Sequence, residues 1–190
     1  VPTGNFGNIF AAYIAKRMGL PICRLVCASN RNNILTDFLR TGTYDRNRRF
    51  YTTMSPSMDI LISSNLERLL YTVGGAEKTA ACMRALGTDG KYTVDADVKA
   101  KIDESFLGYF CDEELTKRTI RETFDAHHYL CDTHTAVGLA AARQYIAEHG
   151  GTRKIVLAST ASPYKCANDV YTALTDKVAD DELAALSALA

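Results

Sequence analysis

The sequence carries no excess of charge: 22 lysines and arginines balance 22 aspartates and glutamates. A chain this neutral offers no bulk electrostatic attraction to nucleic acid or to an acidic membrane surface. No stretch approaches ~20 consecutive apolar residues, so no membrane-spanning helix is expected, and there is no secretory signal pattern. The six cysteines, at positions 23, 27, 82, 111, 131 and 166, include no Cys-x-x-C pair. They read as reduced, mostly buried thiols of a cytoplasmic protein. Cys131, Asp132 and His134 lie together, but no second pair of ligands accompanies them, so no metal is expected. What is present is 190 residues, 47% of them hydrophobic, enough for one domain with a sizeable core.

Helical stretches alternate with short β-branched runs. Apolar periodicity and stop signals predict helices over residues 9–18, 33–40, 58–73, 77–86, 96–102, 113–124, 135–149, 165–174 and 180–189. Strands are expected at 22–28, 50–53 and 154–158, with a short apolar and aromatic stretch at 106–111. Short buried strands separated by helices imply an α/β fold, a parallel sheet flanked by helices on both faces, with helix well in excess of strand. Residues 74–112 have the weakest periodicity and read as an insertion on the surface. Asp132 and Thr133 are suited to cap the alanine-rich helix that follows, and Ser57, after Pro56, to cap the helix from 58.

The strongest chemical signal is Pro2-Thr3-Gly4-Asn5-Phe6-Gly7-Asn8, directly before a helix. Two glycines allow the backbone to approach a ligand closely. Successive amides in such a turn form an anion nest, and the helix N-terminus adds partial positive charge. The segment lacks the Lys-Ser/Thr of the P-loop and the third glycine of the dinucleotide fingerprint. By spacing alone it is either a phosphate site or a plain turn that opens a helix. Arg40, Arg46, Arg48 and Arg49 read as a solvated loop rather than a nucleic-acid patch. Asn30 and Arg31 follow a strand, where ligands of α/β sheets bind, and are candidates for substrate contact beside the reading as loop residues. Without any relative in view, Thr160 reads first as a turn or helix cap.

The Pro2 to Asn8 motif resembles the cofactor-phosphate loop of the threonine synthases, pyridoxal-phosphate enzymes of the tryptophan-synthase-β-like fold. Further stretches are similar to that family in the same order: Ala28-Ser29-Asn30-Arg31-Asn32-Asn33, the segment from Ser55 to Leu70, Cys131-Asp132-Thr133-His134-Thr135-Ala136-Val137-Gly138, and Ser159-Thr160-Ala161. The resemblance implies a fragment of a two-domain fold type II enzyme, its C-terminal, cofactor-binding portion. It implies conversion of O-phospho-L-homoserine and water to L-threonine and phosphate by β,γ-replacement on pyridoxal 5'-phosphate. It also implies that Gly4, Asn5, Phe6, Gly7 and Asn8 hold the cofactor phosphate and that Thr160 meets the pyridine nitrogen.

The sequence departs from that pattern in ways that matter. The family's Schiff-base lysine belongs to a Phe-Lys-Asp-like motif, which is absent. Lys16, Lys78, Lys117 and Lys165 stand in other contexts. Thr133 replaces a proline, Ser162 a histidine, and Pro163-Tyr164-Lys165-Cys166 stands for Pro-Ala-Lys-Phe. The chain opens on Val1 within the motif and stops in an apolar run from Leu183 to Ala190. The expectation is a piece of a longer enzyme without its N-terminal lysine-bearing domain, inactive alone. The alternatives are a lysine-less module of the same fold that binds a phosphorylated ligand, and a related pyridoxal enzyme with another substrate.

Overall fold

The computed structural model describes residues 1–190. Its centre is a parallel pair, β1 (Leu25–Ser29) and β4 (Phe106–Phe110), in register from Leu25 opposite Phe106 to Ser29 opposite Phe110. Residues 1–3 extend this sheet: Thr3 donates to the Ala28 carbonyl oxygen at 2.8 Å, and Ala28 donates to that of Val1 at 3.0 Å. Alternation along β1 assigns its two faces. Leu25 and Cys27 join a cluster of 19 buried residues, whereas Ala28 joins a second cluster with Tyr109, Cys111 and Val137.

Helices α1 (Gly7–Arg17) and α2 (Ile34–Thr41) pack on the first face. β2 (Thr43–Asp45) then pairs antiparallel with β3 (Lys91–Thr93), across the long helix α3 (Leu66–Thr88). Tyr44 and Tyr92 stack face to face there, with ring centroids 5.4 Å apart, and Phe38 meets both rings edge-on. α4 (Ala96–Asp103) leads into β4. α5 (Glu113–His127) and α6 (Thr133–His149) follow, and α6 covers the opposite face of the sheet through Val137, Ala140 and Ala141. α7 (Ala167–Thr175) and α8 (Glu182–Leu189) pack beside α5, where Ile120 meets Val170 and Ala173.

The helix-rich α/β architecture with a parallel sheet is as the sequence predicts, but several elements differ. Residues 50–53 form no strand, because the Tyr51 and Thr53 amides donate to the side chains of Asn32 and Asp59 instead of to a ladder. The helix expected from 58 starts at Leu66. Before it, Pro56–Met58 is a single 3-10 turn, and the amides of Ser63 and Ser64 are committed to Tyr44 Oη and Asn5 Oδ1. Ser57 therefore lies inside a turn and caps nothing. Gly75 takes φ 82° and ψ 175°, which is non-helical, so the run from Leu66 to Thr88 is two helices that meet at a kink, where Gly74-Gly75 were expected to end one helix before the next.

Residues 154–158 form no ladder either. They have no neighbouring strand, and Val156 is 91% exposed. Residues 74–112 are not a surface addition: Tyr92, Val94, Val98, Ile102 and Phe106 belong to the main core, and 106–110 is a central strand. All six cysteines are unpaired, with Cys27, Cys111 and Cys131 buried and held up to about 11 by burial. No helix is long and apolar enough to cross a membrane.

Thr36 joins α2 to the sheet. It is fully buried, and its Oγ1 donates to the Tyr109 carbonyl oxygen at 2.8 Å and bonds Ser29 Oγ at 2.9 Å. Thr36→Val keeps the shape and strands both partners. The expected result is a loss of about 1–3 kcal/mol in urea-induced unfolding, with an unchanged m-value.

Candidate functional site

The turn at residues 4–8 owes its shape to two constraints. A Cβ on Gly4 would stand 2.8 Å from the Ser57 carbonyl oxygen and 3.0 Å from Met58 Cα, both backbone, so only glycine permits this approach. Phe6 adopts the left-handed conformation at φ 62°, anchored by a ring that is 1% exposed. The turn is fastened from the opposite side: Ser63 Oγ donates to the Gly4 carbonyl oxygen at 3.0 Å, Ser64 N donates to Asn5 Oδ1 at 2.7 Å, and Asn65 Nδ2 donates to the Asn5 carbonyl oxygen at 2.9 Å. These bonds use the turn's oxygens. Its amides, six in succession from Gly4 to Ile9, bond to no acceptor within the chain. With α1 opening at Gly7, they form a donor-rich cradle at the positive end of a helix.

The cradle lines a cleft of about 260 Å³, and Ser57, Met58, Asn65, His134 and Thr160 complete its wall. The structure therefore brings together Gly4, Asn5, Phe6, Gly7, Asn8 and Thr160. It does not bring Asn30 or Arg31 there. Asn30 is 1% exposed and donates to Thr53 Oγ1, Ser55 Oγ and Asp59 Oδ1, an internal hub with no donor left for a ligand. Arg31 lies over the Tyr51 ring, 4.0 Å from its centroid. The arginine-rich loop is likewise engaged within the molecule: Arg48 pairs with Asp37 at 2.7 Å, Arg40 donates to the Gly108 carbonyl oxygen, and Arg49 stacks over Tyr51.

Asp132 and His134 hold the rest of the wall. Asp132 caps α6 by accepting from the amides of His134 and Thr135 at 2.8 and 3.1 Å, and it also accepts from Thr135 Oγ1. Burial pushes its carboxyl up, but the hydrogen bonds from His134 and Thr135 outweigh burial and hold it at about 2. His134 Nε2 accepts from the Ser57 amide at 3.3 Å, which assigns the ring proton to Nδ1, 3.3 Å from Asp132 Oδ1. Thr135 Oγ1 reaches Ser159 Oγ at 3.0 Å, next to Thr160. Gly138 lets α6 close on the same region: a Cβ there would stand 2.6 Å from Leu157 Cδ1 and 2.9 Å from Pro2 Cγ. Spacing gave no sign of the pairing of Ser57 with His134, since 77 positions separate them. Only the Asp-Thr-His-Thr cap at 132–135 marked one half of it.

No lysine, arginine or carboxylate lines the cleft, and His134 is its one titratable group. The lining thus offers main-chain N–H groups suited to a phosphate and, at Thr160, a hydroxyl. This chemistry matches pyridoxal 5'-phosphate in the donors it offers.

The chain is similar to known threonine synthases. Residues 135–190 match the family described as threonine synthase, C-terminal. Threonine synthase of Saccharomyces cerevisiae is 40% identical over 191 residues, an alignment that covers 92% of this chain and 37% of the yeast protein. Human threonine synthase-like 1 is 38% identical over 180 residues, covering 93% of this chain and 24% of that protein. The crystal structure of PLP-bound threonine synthase from Brucella melitensis superposes with a TM-score of 0.86 at 40% identity, over 91% of this chain and 37% of that one. The chain thus spans about a quarter to somewhat over a third of the length of these relatives.

The Asp132 carboxylate is favoured in the folded chain, so its contribution is complete above the ordinary value of 3.8 and is lost as pH falls toward about 2. Asp132→Asn is expected to cost about 2 kcal/mol at pH 7, and less as the pH approaches 2. Urea unfolding across pH 2–7 measures both; an equal loss throughout would remove the carboxylate from this role.

Proposed function

We propose that this chain, a part-length relative of the threonine synthases, supplies the cofactor-binding portion of an enzyme that converts O-phospho-L-homoserine and water to L-threonine and phosphate. The observation that carries the reading is the row of unbonded amides from Gly4 to Ile9, in residues that line a cleft together with Thr160. Gly4, Asn5, Phe6, Gly7 and Asn8 hold the phosphate of pyridoxal 5'-phosphate through their main-chain N–H groups, and Thr160 meets its pyridine nitrogen. Bound there, the cofactor supplies the electron sink that a β,γ-replacement requires.

The chain's own residues bind and orient. The carboxylate-fixed imidazole of His134 holds the Ser57 amide, and with it the wall beside the cradle. Thr135 holds Ser159 and so sets Thr160. A neutral hydroxyl at the ring nitrogen, in place of a carboxylate, does not force that nitrogen to be protonated. In this reading the lysine that carries the cofactor covalently comes from the N-terminal half of the same enzyme.

A second reading is a lysine-less module that binds a phosphorylated ligand without turnover. The same lining supports it, and so does the similarity to a human protein named threonine synthase-like 1.

Phosphate release from O-phospho-L-homoserine separates the two readings. The 190-residue chain with added cofactor is expected to release none. A polypeptide that adds the lysine-bearing half is expected to turn over, and Thr160→Ala in it to lose roughly tenfold in kcat with an unchanged melting temperature. Absence of turnover in that longer protein, with the cofactor bound, would favour the binding module. Full activity of Thr160→Ala would remove Thr160 from the site.

A further inference from the structure

Lys165 makes the one hydrogen bond from a cationic side chain to a wall residue of the cleft. It stands in the 3-10 turn Pro163–Cys166, whose first residues are tied by Ser162: Oγ accepts from the Tyr164 amide and the carbonyl oxygen from that of Lys165. From there its Nζ donates to Ser57 Oγ at 3.1 Å. No carboxylate lies within 4.0 Å of this ammonium group, whereas Lys78, Lys99 and Lys117 each pair with an aspartate or glutamate.

The geometry at Ser57 gives the contact a direction. The Ser57 backbone is held independently, through its amide on His134 Nε2 and the close approach of Gly4 to its carbonyl oxygen. An ammonium only donates, so Ser57 Oγ is the acceptor and its own O–H is left to donate elsewhere. Ser57 lines the cleft beside the amide cradle. We propose that Lys165 is a positioning residue for the anion site: it turns the Ser57 hydroxyl into a donor toward the cleft and brings positive charge to the rim of an otherwise uncharged cradle. The ligand chemistry is a phosphate monoester or free phosphate, and the inference rests on the reading of the cleft as a phosphate site.

The test measures affinity by calorimetry for two probes, inorganic phosphate and 4'-deoxypyridoxine 5'-phosphate, which has no aldehyde to react with lysines. Lys165→Met is expected to weaken both by about tenfold and to flatten the salt dependence of binding. Lys165→Arg is expected to restore most of the affinity. Because the effect runs through Ser57, Lys165→Met made in a Ser57→Ala background is expected to cost less than about threefold. Lys165 is exposed, so the melting temperature serves as the control for folding. Wild-type affinity in Lys165→Met, a loss confined to one probe, or an undiminished loss in the Ser57→Ala background would overturn the proposal and leave the cleft's assignment standing. Failure of the unsubstituted protein to bind either probe would overturn the phosphate reading itself.

Discussion

The buried carboxylate of Asp132 is the joint to which the rest of the site is fastened. It closes the N-terminus of α6, takes the Thr135 hydroxyl and faces the ring of His134. From His134 the connection passes to the Ser57 amide, and from Thr135 to Ser159 beside Thr160. One negative charge thus sets two walls that come from different parts of the chain. Its desolvation is offset by donors fixed in place by a helix terminus, the arrangement in which a buried carboxylate is sustained. A neutral amide at 132 would keep the cap in part but would lose the charge-assisted bonds that orient both walls.

The third wall has the opposite character. The turn at residues 4–8 contributes no charged side chain, and the oxygens of Gly4 and Asn5 are already taken by Ser63, Ser64 and Asn65. What it presents is a set of N–H dipoles, held in place before any ligand arrives. Such a cradle costs little to reorganise on binding, because the bonds on its far side fix the backbone. The buried Phe6 ring packs against Phe106, which in turn meets Tyr13, and this aromatic row fixes the turn to the core.

The parts of this structure that could be read from the sequence are those whose cause is local. The turn before α1 was legible from its glycine and asparagine spacing, which alone left a phosphate site and a plain helix-opening turn both open. The α6 cap was legible because Asp132 and Thr133 precede an alanine-rich run. The helices expected over 113–124 and 135–149 followed from periodicity, whereas 106–111 was legible only as an apolar and aromatic stretch and becomes a strand beside β1. The misreadings arose where a distant partner decides. Residues 154–158 have strand propensity, but propensity is realised only against a neighbouring strand. Residues 50–53 and 58–65 lost their expected forms to the side chains of Asn32, Asp59, Asn5 and Tyr44. Asn30, a candidate for substrate contact beside the reading as a loop residue, donates to Thr53, Ser55 and Asp59, a polar cluster visible only once the chain is folded. The joining of Thr160 to the cradle came from family resemblance alone.

The contacts that close the cleft span long stretches of sequence. Gly4 and Ser63 are 59 positions apart, Ser57 and His134 are 77, and Ser57 and Lys165 are 108. Non-local closures of this kind slow folding and complete late, since their entropy must be met before their bonds form. No subsegment of the chain carries the site by itself. A ligand settling there therefore weights the whole folding equilibrium, stabilising the native topology by mass action rather than any one element of it.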